Sequence, residues 1–349
     1  MVEIAMSYIE SVAWPSIAIK VEFLKTLKDV CEGKMFVEAE SARLHLALAL
    51  LHESNGEVEL ACDMIQDVHV ETYGSLSKKE KAEYILEQIR LNLSRKDYVR
   101  ALIQSRKMSR KVIEEDGFVE IKLKFYRMMV QYHSYEKETW EICQCYFKMY
   151  EANKAKELNE EKVNCLQSCI IFLLLSKSDN HQVDMMHRIK TVALAEGLND
   201  YGAILTLFAT KEIIPSPFPG QDLFKSHPCL SQALNAGESA DLFFIDTIHS
   251  RIVEHNIRVI STYYTKIQIP RLCVLIQLEQ DELESYLSKM FTNGDISVKI
   301  DRPAGIVDFS VSLPVETVLS DWSSDISKLL HIMESTCHLI NRENMIYKV

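Results

Sequence analysis

A single four-residue turn, with the segments that lead into it, narrows the fold of this chain more than any other feature. Arg302-Pro303-Ala304-Gly305 places Pro at the second and Gly at the fourth position of a type I turn. β-prone segments flank it, Ile296 to Asp301 before and Ile306 to Phe309 after, so the stretch reads as a two-stranded ribbon. A helix containing Glu254-His255-Asn256-Ile257-Arg258-Val259-Ile260 lies upstream and runs out near Tyr263-Tyr264. Ile245, Ile248, Ile252, Ile260 and Tyr263 keep a helical spacing, which assigns them to one core-facing stripe. Thr265 to Ile269 is a short β-prone connector. Pro270 opens a second helix, Arg271 to Leu278, where its missing N–H costs nothing. A third helix runs from Asp281 to Thr292, its first turn acidic as the helix dipole favours, and Asn293-Gly294 ends it. Helix, strand, helix-turn-helix and ribbon make a winged helix.

From Met1 to about Lys211, amphipathic helical segments alternate with short polar breaks. Pro15 closes the first. Ile17 to Cys31, Met35 to His52, Glu57 to Val68, Tyr84 to Leu93 and Tyr98 to Val112 follow. Leu51…Gly56-Glu57…Ala61 and Leu91…Lys96-Asp97…Ala101 are similar and lie roughly 40 residues apart, a period that suits a solenoid of tetratricopeptide-like hairpins. Phe118 to His133, Trp140 to Tyr150, Lys162 to Leu175, His181 to Ala195 and Tyr201 to Lys211 continue the array, with Cys165 to Leu175 apolar almost all round. Pro215-Ser216-Pro217-Phe218-Pro219-Gly220 cannot continue a helix and reads as a linker. The predicted fold is all-α: a right-handed helical-repeat solenoid over residues 1–214, a winged-helix module with a small β wing over 215–315, and a long final helix over 316–349.

That final helix reads from Asp321 to about Tyr347. Leu319, Trp322, Ile326, Leu329, Met333, Thr336 and Ile340 alternate by three and four residues, an a/d heptad seam. Leu330 and Cys337 widen the stripe on one side. The winged helix has its own core, so the seam is expected to meet helices from other chains rather than fold back on the solenoid.

Composition removes several functions. A net charge of −11 disfavours nonspecific attraction to nucleic acid or anionic membrane. The would-be recognition helix begins Asp281-Glu282-Leu283-Glu284, which faces phosphates with like charge. Cys169 to Leu175, the longest apolar run, is too short to span a bilayer. Met1 to Trp14 carries no basic start or cleavage site of a signal peptide. Nine scattered cysteines suit reduced thiols of the cytosol or nucleus. Cys143-Gln144-Cys145 and Cys165/Cys169 lack the paired spacing of a structural zinc site and read as core packing. His331 and His338, with Cys337 beside the second, read as surface or interface residues. No GxxxxGK[ST], GxSxG or HExxH is present, and no His-x-His with a downstream Asp. Glu254 and His255 are adjacent on a helix and point different ways. No catalytic residue, cofactor or metal is expected. Arg258 reads as an ion-pairing residue that fixes the winged helix to the preceding array.

Lys299-Ile300-Asp301-Arg302-Pro303-Ala304-Gly305-Ile306-Val307, with His255-Asn256-Ile257-Arg258-Val259 and Tyr263-Tyr264, resembles the PCI domain of proteasome lid subunits. Val70-Glu71-Thr72-Tyr73-Gly74-Ser75, Ile85-Leu86-Glu87-Gln88, Lys96-Asp97-Tyr98, Leu123-Lys124-Phe125-Tyr126 and His187-Arg188-Ile189 extend the likeness outside the PCI motif. It runs from about Leu50 to the C-terminus. The N-terminal array is shorter than in typical members. Glu279 replaces the usual Ser cap of the third winged helix, so that helix is expected to fray or shift at its start. The resemblance implies a non-catalytic scaffold of the 19S regulatory particle lid in cytoplasm and nucleus, supporting ubiquitin-dependent degradation. It implies contacts through Asn256, Ile257, Arg258, Tyr263 and Tyr264 of the PCI helix. It also implies contacts through Lys299, Asp301, Arg302, Pro303, Gly305, Val307 and Phe309 of the wing, and a shared helical bundle formed by the final seam. The implied partners are other PCI lid subunits, the zinc isopeptidase subunit of the lid, the ATPase ring and core-particle α subunits. A PCI subunit of the signalosome or of translation initiation factor 3 is the alternative, with a nucleic-acid-binding winged helix behind it.

Overall fold

The computed structural model describes residues 17–31, 33–66, 68–109, 116–156, 159–215, 218–219, 238–310 and 315–346. The segment closed by Pro15, the end of the second repeat at Val112, Ser216, Pro217 and Gly220 of the Pro-rich stretch, the Ile245 side chain and Tyr347 lie outside them. The chain divides into two compact units, Met1–Thr210 with Pro217–Arg251, and Lys211–Ser216 with Ile252–Val349.

The first unit is an array of antiparallel helices: α1 Ile17–Cys31, α2 Glu38–Ser54, α3 Val58–Gln66, α4 Lys78–Ser94, α5 Tyr98–Lys107, α6 Val119–Glu136, α7 Thr139–Lys156, α8 Asn159–Leu175, α9 Asn180–Ala195 and α10 Asn199–Ala209. The repeat lies in its turns. Between α2 and α3, α4 and α5, α6 and α7, and α9 and α10, one residue adopts positive φ: Gly56, Lys96, Lys137 and Gly197. The following N–H then reaches back to a carbonyl of the last helical turn: Glu57 to His52 at 2.9 Å, Asp97 to Asn92 at 2.9 Å, Glu138 to His133 at 3.1 Å and Leu198 to Ala193 at 3.0 Å. This is the left-handed C-terminal cap that satisfies orphan carbonyls. In two turns the buried His also bonds the acid five residues on, His52 to Glu57 and His133 to Glu138.

Side chains carry the packing between hairpins. The Gln88 amide, 1% exposed, donates to the carbonyls of Ile65 and Val68 where α3 ends. Asp97 caps α5 through the Arg100 N–H. Ser77 and Glu80 form a capping box on α4. The α7–α8 pair buries Ile142, Cys143, Met149, Leu166, Cys169, Ile170 and Leu173, with Tyr146 stacked on Phe172. The Cys143 and Cys169 sulfurs touch at 3.6 Å. That contact, together with burial, raises the Cys169 thiol well above its usual range. These cysteines are apolar filling, as their spacing indicates.

The second unit is the winged helix. Its elements are the end of α11 Glu238–Tyr263, β1 Lys266–Gln268, α12 Ile269–Ile276, α13 Gln280–Thr292, β2 Lys299–Asp301, β3 Ile306–Asp308 and α14 Val315–Ile346. Val253, Ile257, Ile260, Ile267, Ile269, Leu272, Leu283, Leu287, Met290 and Val307 form one core. Each fully buried Leu or Ile contributes about 1.5–3 kcal/mol. The ribbon is a three-stranded antiparallel sheet in the order β1-β3-β2: the connector expected near Thr265 joins it by pairing Ile267 with Val307. The strands are shorter than the β-prone runs, β2 starting at Lys299 rather than Ile296. Glu279 stands at the N-cap of α13 without a side-chain cap, and the helix begins at Gln280, one residue before the expected Asp281. The final helix begins at Val315 rather than Asp321.

Candidate protein-interaction surface

Three side chains of α11 hold the irregular segment Lys211–Ile214, which bends at Lys211 and Glu212. Asn256, 3% exposed, uses both ends of its amide: Oδ1 accepts from the Ile214 N–H at 2.9 Å and Nδ2 donates to the Ile214 carbonyl at 3.0 Å. A carboxamide thereby imitates a neighbouring strand. His255 Nε2 lies 3.2 Å from the Glu212 carbonyl. A carbonyl only accepts, so the ring carries its proton on Nε2. Burial lowers the His255 pKa and keeps the ring neutral. The Tyr263 hydroxyl donates to the Lys211 carbonyl at 3.2 Å. An open cleft of about 520 Å³ follows this strap, lined by Lys211, Glu212, Ile213, Val259, Ile260, Tyr263 and Tyr264.

The PCI-helix residues therefore separate. Asn256 and Ile257 are internal, and Ile257 is wholly buried in the core. Tyr263 and Tyr264 are exposed at 67% and 41%. Tyr263 does not extend the core stripe: it ends the helix, and its hydroxyl bonds outward to the strap. Arg258 is half-buried, with no carboxylate within 4.0 Å among the described residues. The ion pair expected of it is absent there, and its carbonyl accepts from the Ser261 and Thr262 hydroxyls.

The wing is fixed from three sides. Gly305 N–H donates to the Arg302 carbonyl at 3.2 Å, closing the type I turn, and Gly305 takes φ +64°. Its own carbonyl accepts from Ile269 N–H at 2.9 Å. Arg302 Nε meets Glu284 Oε2 on α13 at 2.9 Å. The Arg302 and Gln280 bonds hold the Glu284 carboxyl below its usual range. Lys266 pairs with Asp308 across β1 and β3. Val307 is buried, Phe309 packs on the core, and Lys299, Asp301, Arg302 and Pro303 are exposed. Strand β2 pairs only with β3 among the described residues, which leaves its outer edge open.

This geometry is poor for phosphate. The wing's Arg302 is committed to Glu284, and α13 presents Asp281, Glu282 and Glu284 in its first turns. It is suited to protein: an open strand edge, two surface tyrosines and the exposed apolar residues Val274 at 67% and Phe291 at 54%.

The long helix α14 carries the largest apolar surface of the second unit. Leu319, Trp322, Ile326, Leu329, Met333 and Ile340 are each 45–66% exposed, and Thr336 is exposed with them. Apart from Glu343, every described side chain of the helix is exposed. No described helix is long and apolar enough to cross a membrane. The seam and the wing were visible in the sequence. The strap was not: Ile214 and Asn256 lie 42 residues apart and share no local pattern. The only signal was Asn256 as a polar residue among apolar positions of α11.

The chain matches three family models: "PSMD12/CSN4, N-terminal" over residues 1–157, "PCI domain" over 221–311 and "26S proteasome regulatory subunit RPN5 C-terminal domain" over 316–348. It is 33% identical over 358 residues to the 26S proteasome non-ATPase regulatory subunit 12 of Dictyostelium discoideum, covering 100% of this chain and 76% of that one. Against homolog A of Arabidopsis thaliana it is 34% identical, covering 100% and 83%. Against the 26S proteasome regulatory subunit RPN5 of Saccharomyces cerevisiae it is 30% identical, covering 99% and 78%. These matches span the solenoid, the PCI module and the final helix together, and the chain belongs to the family of 26S proteasome non-ATPase regulatory subunit 12.

Proposed function

We propose that this chain is a non-catalytic scaffold subunit of the proteasome regulatory particle lid, acting in ubiquitin-dependent degradation in cytoplasm and nucleus. In this reading residues 1–214 are the solenoid arm, 215–315 the PCI module and 316–349 the bundle helix. The wing, with Lys299, Asp301, Arg302, Pro303 and the open edge of β2, joins neighbouring PCI subunits. The arm reaches toward the zinc isopeptidase subunit, the ATPase ring and core-particle α subunits.

One observation carries the reading. Thirteen large apolar side chains of α14 are exposed along a helix of 32 residues. A helix most of whose apolar stripe meets water is stabilised only by a partner. The names of the relatives, all regulatory subunits of the 26S proteasome, support the identity of the assembly.

The test is truncation after Pro314, with the lid recovered through a tag on another subunit. The truncated chain is expected to keep the melting behaviour of its solenoid and winged helix and to fail to enter the lid. Entry at the normal level, or a large loss of stability in the isolated chain, would overturn the proposal.

A further inference from the structure

Helices α7 and α8 carry four buried cysteines, Cys143 and Cys145 on one and Cys165 and Cys169 on the other. They are not equivalent. The Cys143 and Cys169 sulfurs lie 3.6 Å apart, in van der Waals contact, and the Cys169 thiol lies 3.5 Å from the Cys143 carbonyl, to which it donates. The Cys165 sulfur accepts from the Asn153 amide at 3.6 Å. Cys145 stands two positions after Cys143, about 200° further round the helix axis, and so leaves on a different face. Cys143 and Cys169 are therefore a dithiol already assembled across the helix pair.

In the reduced chain this dithiol fills space and is shielded. Both residues are 0% exposed. The contact with Cys143, together with burial, raises the Cys169 thiol, so the closed pair offers little of the reactive thiolate. An oxidant reaches the sulfurs only when α7 and α8 part locally. Once one sulfur has reacted, the other is its nearest nucleophile as the helices close again. A disulfide holds its sulfurs about 2.05 Å apart, so the two must approach by about 1.6 Å, which small rotations of both side chains supply.

We propose that Cys143 and Cys169 are a redox modification site, which hydrogen peroxide converts to a disulfide that ties α7 to α8. One thiolate attacks a peroxide oxygen and the O–O bond breaks. That cysteine becomes a sulfenic acid, and the departing hydroxide takes a proton to form water. The second thiolate attacks the sulfenic sulfur, the S–S bond forms, the S–O bond breaks and a second water leaves. Two thiols and one peroxide thus give one disulfide and two waters, with two electrons passing from sulfur to oxygen. The new bond spans 26 positions of sequence and locks the hairpin against the opening that admitted the oxidant. A dithiol reductant reverses it.

The test uses the purified full chain, folded and reduced, then treated with hydrogen peroxide. Catalase stops the reaction, free thiols are alkylated in denaturant without reduction, and peptides are mapped by mass spectrometry. The peptides holding Cys143 and Cys169 are expected to be linked, two hydrogens lighter than their sum, in about half of the chains or more. Linking should be about threefold faster or more in urea below the unfolding transition, because opening limits it, while oxidation of the exposed Cys337 should change less. The linked chain should melt at a higher temperature in its solenoid transition and return to the parent value on reduction. Cys169→Ala should abolish both the link and the shift. The link is mapped in the parent chain, so a variant that fails to fold leaves the test intact. Both thiols still free after overnight treatment that oxidises Cys337 completely would overturn the proposal. So would either sulfur found mainly as a sulfinic acid or bonded to another cysteine, or a linked chain that melts no higher than the reduced one.

Discussion

Replacing Asn256 by Ala removes one side chain and orphans two backbone groups. The Ile214 N–H and C=O each lose their partner, at 2.9 and 3.0 Å, beside a side chain only 2% exposed. A buried polar group left unmade costs about 1–3 kcal/mol, so two cost about 2–4 kcal/mol once water partly reaches them. The strap is local, and its opening need not unfold the core of Val253, Ile257, Ile267 and Val307. The loss should appear first in amide exchange at Ile214. At about 1.4 kcal/mol per tenfold, protection there should fall by roughly thirtyfold to a thousandfold. Exchange at Ile267, inside the sheet, should change far less. Hydrogen exchange read by NMR or mass spectrometry resolves the two sites. If Ile214 in Asn256→Ala exchanges within about threefold of the parent, the amide does not hold the strap and this reasoning is wrong.

Gly305 has open space where a Cβ would stand, and its φ of +64° strains any side chain there, so Gly305→Val should cost about 1–3 kcal/mol of backbone strain. The wing should distort, with loss of lid entry and an unchanged solenoid melting transition; normal entry would mean the wing is not a joining surface. His255 has a pKa lowered by burial. The folded state then binds fewer protons than the unfolded chain below the ordinary His value of about 6.5, so stability is complete above that value and is lost as pH falls through it. Denaturant melts at pH about 7.5 and 5.5 should show this loss, and His255→Gln should shrink it; the lowered carboxylates Glu284 and Asp308 act only at more acid pH. Gln88→Ala leaves two carbonyls at the end of α3 unpaired and should cost about 2–4 kcal/mol in the first unit. Arg90→Ala, which removes a part-exposed two-pronged pair with Glu53 and a second pair with Glu87, should cost about 1 kcal/mol, and losses equal to those of Gln88→Ala in chemical melts would contradict this ranking.

What the sequence disclosed was what short range determines. The winged helix was readable because Pro303, Gly305, Pro270 and Asn293-Gly294 each act within four residues. The solenoid period was readable at Gly56, whose conformation only glycine adopts freely, and harder at Lys96 and Lys137, which hold the same left-handed turn with a side chain. Tyr263 kept the spacing of the core stripe and left it, because a helix end has fewer layers to pack on and its hydroxyl finds the Lys211 carbonyl. The third strand was missed as a sheet member because β1 pairs with β3 across roughly forty residues, a contact that neither strand's composition encodes. The strap failed for the same reason.

The seam on α14 lies at the other extreme, since it is wholly local in sequence and exposed along its length among the described residues. That combination has a measurable consequence for residues 315–346 alone. Thr317, Val318, Ser320, Trp322, Ser323, Ser324, Ile326 and Ser327 are weak helix formers crowded into the first half. The close charged or polar contacts along the helix include Lys328 with Asp325 at 3.1 Å, Arg342 with Glu343 at 4.0 Å and the His338 ring with Glu334 at 3.9 Å. At about 0.2–0.5 kcal/mol each, they do not offset the nucleation cost. A synthetic peptide of this segment should therefore be poorly helical at micromolar concentration and gain helicity as concentration rises, because only another apolar face can cover the stripe. Circular dichroism at 222 nm across a hundredfold dilution measures this directly. High helicity that does not change with dilution would mean that α14 is stable by itself. Its exposed stripe would then no longer argue for a partner.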